Sequence, residues 1–173
     1  GFKFRMSPMS AALAQVQLKH LKERNAKRNQ NCIHLSMALE ELGIETFLAP
    51  DDVDRVYFEF LVRYNQPATD LSIGDFAAAL KAEGAMVSAP RYPLLHQQPV
   101  FTSGVWSKIA RLPATPENPI HVYDPADLPH TTRGNGSLLK LPAFPCADKA
   151  LLDQYALAFA KVLSHANDIP RTQ

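Results

Sequence analysis

The chain has 173 residues and a formal net charge of +1, with 46% hydrophobic and 20% charged residues. This length suits one domain, or one domain with a protruding arm, and the composition supports a packed core rather than a disordered chain. The near-neutral charge argues against a nucleic-acid binder, which would usually be strongly basic. No apolar run of about 18 residues and no signal peptide is present, so we expect a soluble, cytoplasmic protein without a membrane segment.

The chemistry-bearing residue types form no metal or nucleophile motif. Cys32 and Cys146 lie far apart, which indicates free or buried thiols in a reducing compartment rather than a disulfide framework. None of the six histidines stands at metal-ligand spacing from a cysteine or carboxylate, so we expect no metal site. Glycine-rich phosphate loops and nucleophile elbows are also missing from the sequence.

The first eight residues form a cationic, aromatic segment that leads into a helix. Lys3 and Arg5 alternate with two phenylalanines, so an extended backbone would place both cations on one face. Ser7 can accept from the first free N–H groups of a helix, and Pro8 suits the first helical position. We therefore interpret this segment as a plausible anion site, the alternative being that its cations are ordinary surface residues.

The segment 8–42 predicts a long helical region that ends at Gly43. Its middle part, 19–29, is polar on all sides, and a helix of this length is unusual within one compact domain. We interpret it as a long or bent connector, so residues 1–43 form an N-terminal segment and inter-domain helix. The basic run is interpreted as a solvated helix face, because it lacks interleaved aromatics.

Residues 44–173 are predicted to form a small α+β domain. The segment 55–64 alternates as a strand, with Val56, Phe58, Phe60 and Val62 on one face and with Glu59 and Arg63 able to pair on the other. A capping box at Ser72 opens a helix that Gly84 ends, and Asp148 caps a last amphipathic helix. Short strands are predicted at 86–88 and, as an edge strand, at 138–141.

A stiff loop lies between these elements. Pro90, Pro93 and Pro99 fix the backbone around His96, and prolines at this density hold a loop in one shape. Such a loop suits the presentation of side chains to a ligand. The structural alternatives are a packing role for Tyr92 and a backbone hydrogen bond for His96.

Three segments in order resemble one protein family. They are Gly1–Ser7 (GFKFRMS), Arg91–Phe101 (RYPLLHQQPVF) and Leu138–Pro142 (LLKLP) before a last helix. The opening resembles the start of the C-terminal part of the sugar aminotransferases of the DegT/DnrJ/StrS family, which are pyridoxal-phosphate (PLP) enzymes of fold type I. The resemblance implies the small C-terminal domain of such an enzyme, with a short antiparallel sheet covered by helices and a long N-terminal connecting helix.

The resemblance also implies roles for particular residues. Lys3 falls where many members have an Asn that contacts the cofactor phosphate of the other subunit, and Arg5 would line the same pocket. Tyr92 and His96 match the family loop that lies over the substrate. The lysine that forms the Schiff base lies upstream in family members. We therefore expect no catalytic residue, and no activity, in this chain alone.

The function implied for the whole protein is amino-group transfer. A homodimer would use PLP to move the amino group of Glu or Gln to a keto sugar, often nucleotide-linked, or to a cyclitol. Two alternatives stay open. The chain can be a non-catalytic dimerisation or regulatory module, or the same domain of a PLP-dependent sugar dehydratase, in which that lysine is replaced.

Overall fold

The computed structural model describes residues 4–65, 70–110, 115, 119, 122–124 and 126–171. Within these residues, seven α-helices and a three-stranded antiparallel sheet form the α+β fold expected from the sequence. The helices are α1 (Pro8–Lys19), α2 (Leu21–Glu41), α3 (Ile73–Ala82), α4 (Pro99–Thr102), α5 (Trp106–Ile109), α6 (Pro129–Gly136) and α7 (Lys149–Ser164), and the strands are β1 (Glu45–Thr46), β2 (Phe60–Arg63) and β3 (Leu138–Leu141).

The long N-terminal helical region is present, but as two helices that break at His20. Ser7 caps α1 by accepting from the N–H of Ser10 at 3.2 Å, and Pro8 occupies the first turn as the sequence indicates. The polar helix α2 ends before Gly43, whose φ of +78° is one that glycine adopts without strain. The helical region is therefore interrupted at His20, where φ is −104° and ψ is 3°.

Strand β2 is shorter than the sequence predicts. It pairs with β3 from Phe60, opposite Leu141, to Arg63, opposite Leu138, and the sheet order is β1-β2-β3. The next position on β3 is Pro142, which has no N–H to donate, so the ladder cannot continue into the segment 55–59. The predicted strand over 55–64 is therefore wrong in its first half. The edge position of β3 is confirmed.

The shortened strand changes which side chains are buried. Phe60 and Val62 lie in the core as expected, whereas Val56 and Phe58 are exposed because they precede the strand. The predicted pair between Glu59 and Arg63 is also wrong. Arg63 donates instead to Glu45 on the neighbouring strand β1, which lies directly opposite it in the register. A cross-strand neighbour competes well with one four residues away, because side chains opposite each other lie about 5 Å apart.

The core lies where α2, α3 and α7 pack on one another and on the sheet. α2 buries Cys32, Leu35 and Leu39, all of them in its second half. Both of the other helices begin at the predicted cap: Ser72 accepts from Asp75 at 3.1 Å, and Asp148 accepts from Leu151 at 2.9 Å. The buried residues of α7 are Leu152, Tyr155, Ala158, Phe159 and Val162.

The predicted strand at 86–88 is reduced to a single bridge. Only Ser88 pairs with the sheet, through two hydrogen bonds with Lys140 at 2.7 and 3.0 Å. Among the residues that the structure describes, no helix combines the length and the apolar character needed to cross a membrane.

Burial controls the titration of the core thiol. Removal from water raises the pKa of Cys32 from 9.0 to about 11, although Arg28 and Arg55 oppose the shift. The thiol is thus protonated and inert at neutral pH, whereas Cys146 is exposed and free.

The shift predicts a loss of stability at alkaline pH. The thiol has a pKa near 9.0 in the unfolded chain and about 11 in the folded one. The protonated thiol therefore contributes fully to the free energy of unfolding below pH 9, and this contribution is lost as the pH rises towards 11. Between these values the free energy of unfolding should fall by about 2 kcal/mol more in the native chain than in Cys32→Ala. Urea denaturation at a series of pH values measures this difference. If the free energy of unfolding fell equally with pH in the two proteins, the prediction would be contradicted.

Candidate functional site

The N-terminal cationic segment lies immediately before a helix whose start is fixed. Arg5 is exposed, two residues before the capping residue Ser7. Lys3, the other residue expected to contact the cofactor phosphate, lies outside the described residues. The first turn of α1 contains no acidic residue, so nothing in that turn opposes an anion near Arg5.

The stiff loop positions Tyr92 at the surface. Its side chain is exposed and lines a cleft of about 430 Å³ between the loop, α3 and the start of β3. The neighbouring Arg91 is held in place from two sides: its Nε lies 3.1 Å from a carboxylate oxygen of Glu59, and its guanidinium carbon lies 5.1 Å from the ring centre of Phe58. These contacts anchor the residue next to Tyr92, and the stiffness of the loop stays a prediction from its prolines.

His96 lies in a different environment. It sits on a short 3-10 turn, Leu95–Gln97, and only 5% of its surface is exposed. It has an interaction partner, and it does not appear among the described residues that line the cleft beside Tyr92. The structure thus brings Tyr92 to a cleft and buries His96, so the two expected substrate contacts differ in their access to a ligand.

Glu59, which precedes β2, forms ion pairs with a residue of the loop and with a residue of β3. Its carboxylate lies between Arg91 on the loop and Lys140 on β3, whose Nζ is 3.8 Å away, and its side chain is only 12% exposed. The oxygen nearest to Arg91 receives no well-aligned hydrogen bond, so the contact is an ion pair without one. No local pattern in the sequence signals this cluster, because its members are brought together only by the sheet.

A larger cleft, of about 650 Å³, also reaches the start of α3. It forms between the end of β2, the start of α3, and α6. The sheet register explains why, because Arg63 pairs with Leu138 and α6 ends only two residues before that position. The described residues that line the cleft are Arg63, Tyr64, Asn65, Ile73, His130, Arg133, Gly134, Gly136 and Ser137.

No pattern in the sequence predicted this second cleft. His130 and Arg133 lie on one helix, but Arg63 comes from a segment about 70 positions earlier, so no short window of sequence contains all three basic residues. The glycine pair in α6 is the one sequence feature that could have indicated the cleft. Glycine weakens a helix, so its presence there usually has a packing or functional reason. No group of three His, Cys, Asp or Glu residues in the described ranges is arranged to hold a metal ion.

The glycines of α6 predict a stability change. At Gly134 an added Cβ would meet no atom within 4 Å, and the backbone is helical. Gly134→Ala should therefore raise the free energy of unfolding by about 0.5–1 kcal/mol through the entropy of the unfolded chain.

Gly43→Ala is the matched control. Its Cβ also meets open space, but φ is +78°, so this variant should lose about 1 kcal/mol or more. Urea denaturation of both variants is the measurement, and equal effects of the same sign would contradict the assignment of α6.

The α+β fold, with a short antiparallel sheet and three packed helices, is one found in aminotransferases. The sequence model of the DegT/DnrJ/EryC1/StrS aminotransferase family matches residues 1–136. The chain belongs to this family.

Individual relatives agree with the family assignment. The chain is 28% identical over 149 residues to the pleiotropic regulatory protein of Geobacillus stearothermophilus, covering 84% of this chain and 34% of that protein. It is similar in fold to a DegT DnrJ EryC1 StrS aminotransferase from Brucella abortus, with a TM-score of 0.67, 17% identity and coverage of 91% of this chain and 36% of that one. It also resembles the aminotransferase from Psychrobacter cryohalolentis, with a TM-score of 0.70, 16% identity and coverage of 96% and 41%. The chain spans 34–41% of the length of these relatives.

Proposed function

We propose that this chain is the C-terminal part of a PLP-dependent aminotransferase that moves an amino group from Glu or Gln to a keto sugar, often nucleotide-linked, or to a cyclitol. In this proposal residues 44–173 are the small domain, and residues 1–43 connect it to a larger domain that holds the cofactor. Family membership and the chain's span of 34–41% of its relatives support this division.

The observation that carries the proposal is the state of helix α1. None of its twelve residues, all within the described range, is buried. Met9, Leu13 and Val16 follow one face of the helix, and each is more than half exposed. Because a helix of about twelve residues is marginal on its own in water, α1 needs a partner surface. Burying each of these three side chains against a partner surface would stabilise the assembly by roughly 1.5–3 kcal/mol.

In this proposal the described residues supply only part of the PLP pocket. Arg5 is not among the described residues that line the two clefts beside α3, and His96 is buried. The cofactor acts as an electron sink for amino-group transfer, and the protein must supply its position and electrostatics. Most of the residues that do so therefore belong to the proposed larger domain and to the second subunit of a homodimer. Arg5 fits a peripheral contact to the cofactor phosphate, and Tyr92 fits a contact to the substrate.

A regulatory role is the second candidate. It rests on the name of one relative, the pleiotropic regulatory protein of Geobacillus stearothermophilus. Such a module would use the same exposed helix for assembly and would need neither cofactor nor substrate. The two unpaired cysteines suit a cytoplasmic protein under either proposal.

The native polypeptide and the isolated chain together test the proposal. We expect the native polypeptide to be about two to three times longer than 173 residues, to show the visible absorbance of bound PLP and to transaminate a keto sugar with glutamate. The isolated 173-residue chain should bind no PLP and should have no activity.

Two results would overturn it. Turnover by the isolated chain would show that the catalytic groups lie within it. A native polypeptide of 173 residues that ignores PLP would favour the regulatory module instead.

A further inference from the structure

The cleft between β2, α3 and α6 has an unusual charge composition. Three of its described lining residues are Arg63, His130 and Arg133, and none of the described lining residues is acidic. Its volume of about 650 Å³ lies within the range of small-molecule sites, about 300–1,000 Å³. A cavity of this size holds a ligand larger than a bare ion.

The basic side chains of this cleft differ in whether another residue of the protein pairs with them. Within the described part of the chain, the side chains of Arg133 and His130 have no hydrogen-bond or ion-pair partner. Arg63 is different, because its Nη1 donates to both carboxylate oxygens of Glu45, at 2.7 and 2.9 Å. That contact fixes the guanidinium beside the cleft and leaves its Nε and Nη2 groups able to donate. Arg133 therefore contributes most of the uncompensated charge.

The first turn of α3 also borders this cleft. Ile73, the first residue of α3, lines the cleft, so the positive end of a ten-residue helix lies beside it. The carboxylate of that helix turn, Asp75, is buried and accepts from the hydroxyl of Ser72 at 2.7 Å. Its negative charge exceeds the partial charge of about +0.5 at a helix N-terminus, so α3 adds no net attraction for an anion. The glycines 134 and 136 leave open space along the α6 wall, where an added Cβ would meet nothing within 4 Å.

We propose that this cleft binds the phosphate group of a small organic ligand, such as a sugar phosphate. Arg133 would contact the phosphate with its fork of N–H donors, Arg63 would add its free donors, and His130 would supply one more. The organic part would lie over Tyr64 and Ile73, which give the cleft its apolar wall. The proposal does not depend on amino-group transfer, since the isolated chain contains every residue that it uses.

Calorimetric titration of the 173-residue chain with glucose 1-phosphate tests this proposal. We expect saturable binding, weaker binding of inorganic phosphate and no binding of glucose. Arg133→Gln should weaken the binding of glucose 1-phosphate about tenfold or more, because a charge-assisted hydrogen bond is lost. His130→Gln should weaken it by a smaller factor, and both variants should unfold as the native chain does, since both side chains are exposed.

Arg24→Gln is the matched control. It removes the same charge from an exposed position on α2, outside the cleft, and should change the affinity less than twofold. Equal weakening by Arg133→Gln and Arg24→Gln would overturn the proposal. It would show that the ligand is attracted by the positive charge of the protein in general and not by the cleft. The absence of saturable binding at up to about 10 mM glucose 1-phosphate would also overturn it. Equal affinity for inorganic phosphate would contradict the contact with the organic part.

Discussion

The packing of the second half of α2 against α7 and the sheet is the interaction on which the rest of this structure depends. Cys32, Leu35 and Leu39 are fully buried there, and Phe159 of α7 is buried with them. Asn31 extends this contact, since its side-chain amide donates at 2.7 Å to the carbonyl of Phe144 and at 3.1 Å to that of Ala147. These two bonds hold the loop between β3 and α7 and satisfy buried carbonyl groups that would otherwise cost free energy.

That loop contains a residue in an uncommon conformation. Phe144 has a φ of +47°, which non-glycine residues seldom adopt. Its ring packs edge-on against Tyr155, at 4.9 Å between centres, and against Phe60, at 6.4 Å. Aromatic packing on both sides, together with the bond from Asn31, offsets the backbone cost. The strand β3 is thereby fixed opposite β2, and α6 is fixed beside Arg63.

Features that depend on neighbouring residues in the sequence were predicted correctly, whereas features that depend on contacts between distant residues were not. The caps at Ser72 and Asp148, the stop at Gly43 and the stripe of α7 depend on neighbours within four or five residues, and all of them are confirmed. The extent of β2 depends on Pro142, about 80 positions away, and was wrong. The partners of Glu59 and Arg63 were wrong for the same reason, since tertiary contacts decide them.

The candidate sites divide in the same way. The prolines around Tyr92 are local and are enough to indicate a supported loop, whereas the burial of His96 could not be inferred from its sequence neighbours. The cleft of Arg63 and Arg133 exists only because β2 and β3 pair in one register. The two clefts share Ile73 and Gly136 as lining residues, so a ligand in one would lie near a ligand in the other.

The exposed Met9, Leu13 and Val16 give helix α1 an apolar face, and we propose that this face packs on a second domain of the native polypeptide. Amide hydrogen exchange compares its protection in the isolated chain and in the native polypeptide. We predict near-unprotected exchange of α1 in the isolated chain and protection at least about a hundredfold higher in the native polypeptide, with α7 protected in both. Equal protection of α1 in the two proteins would contradict the claim, because the helix would then need no cover.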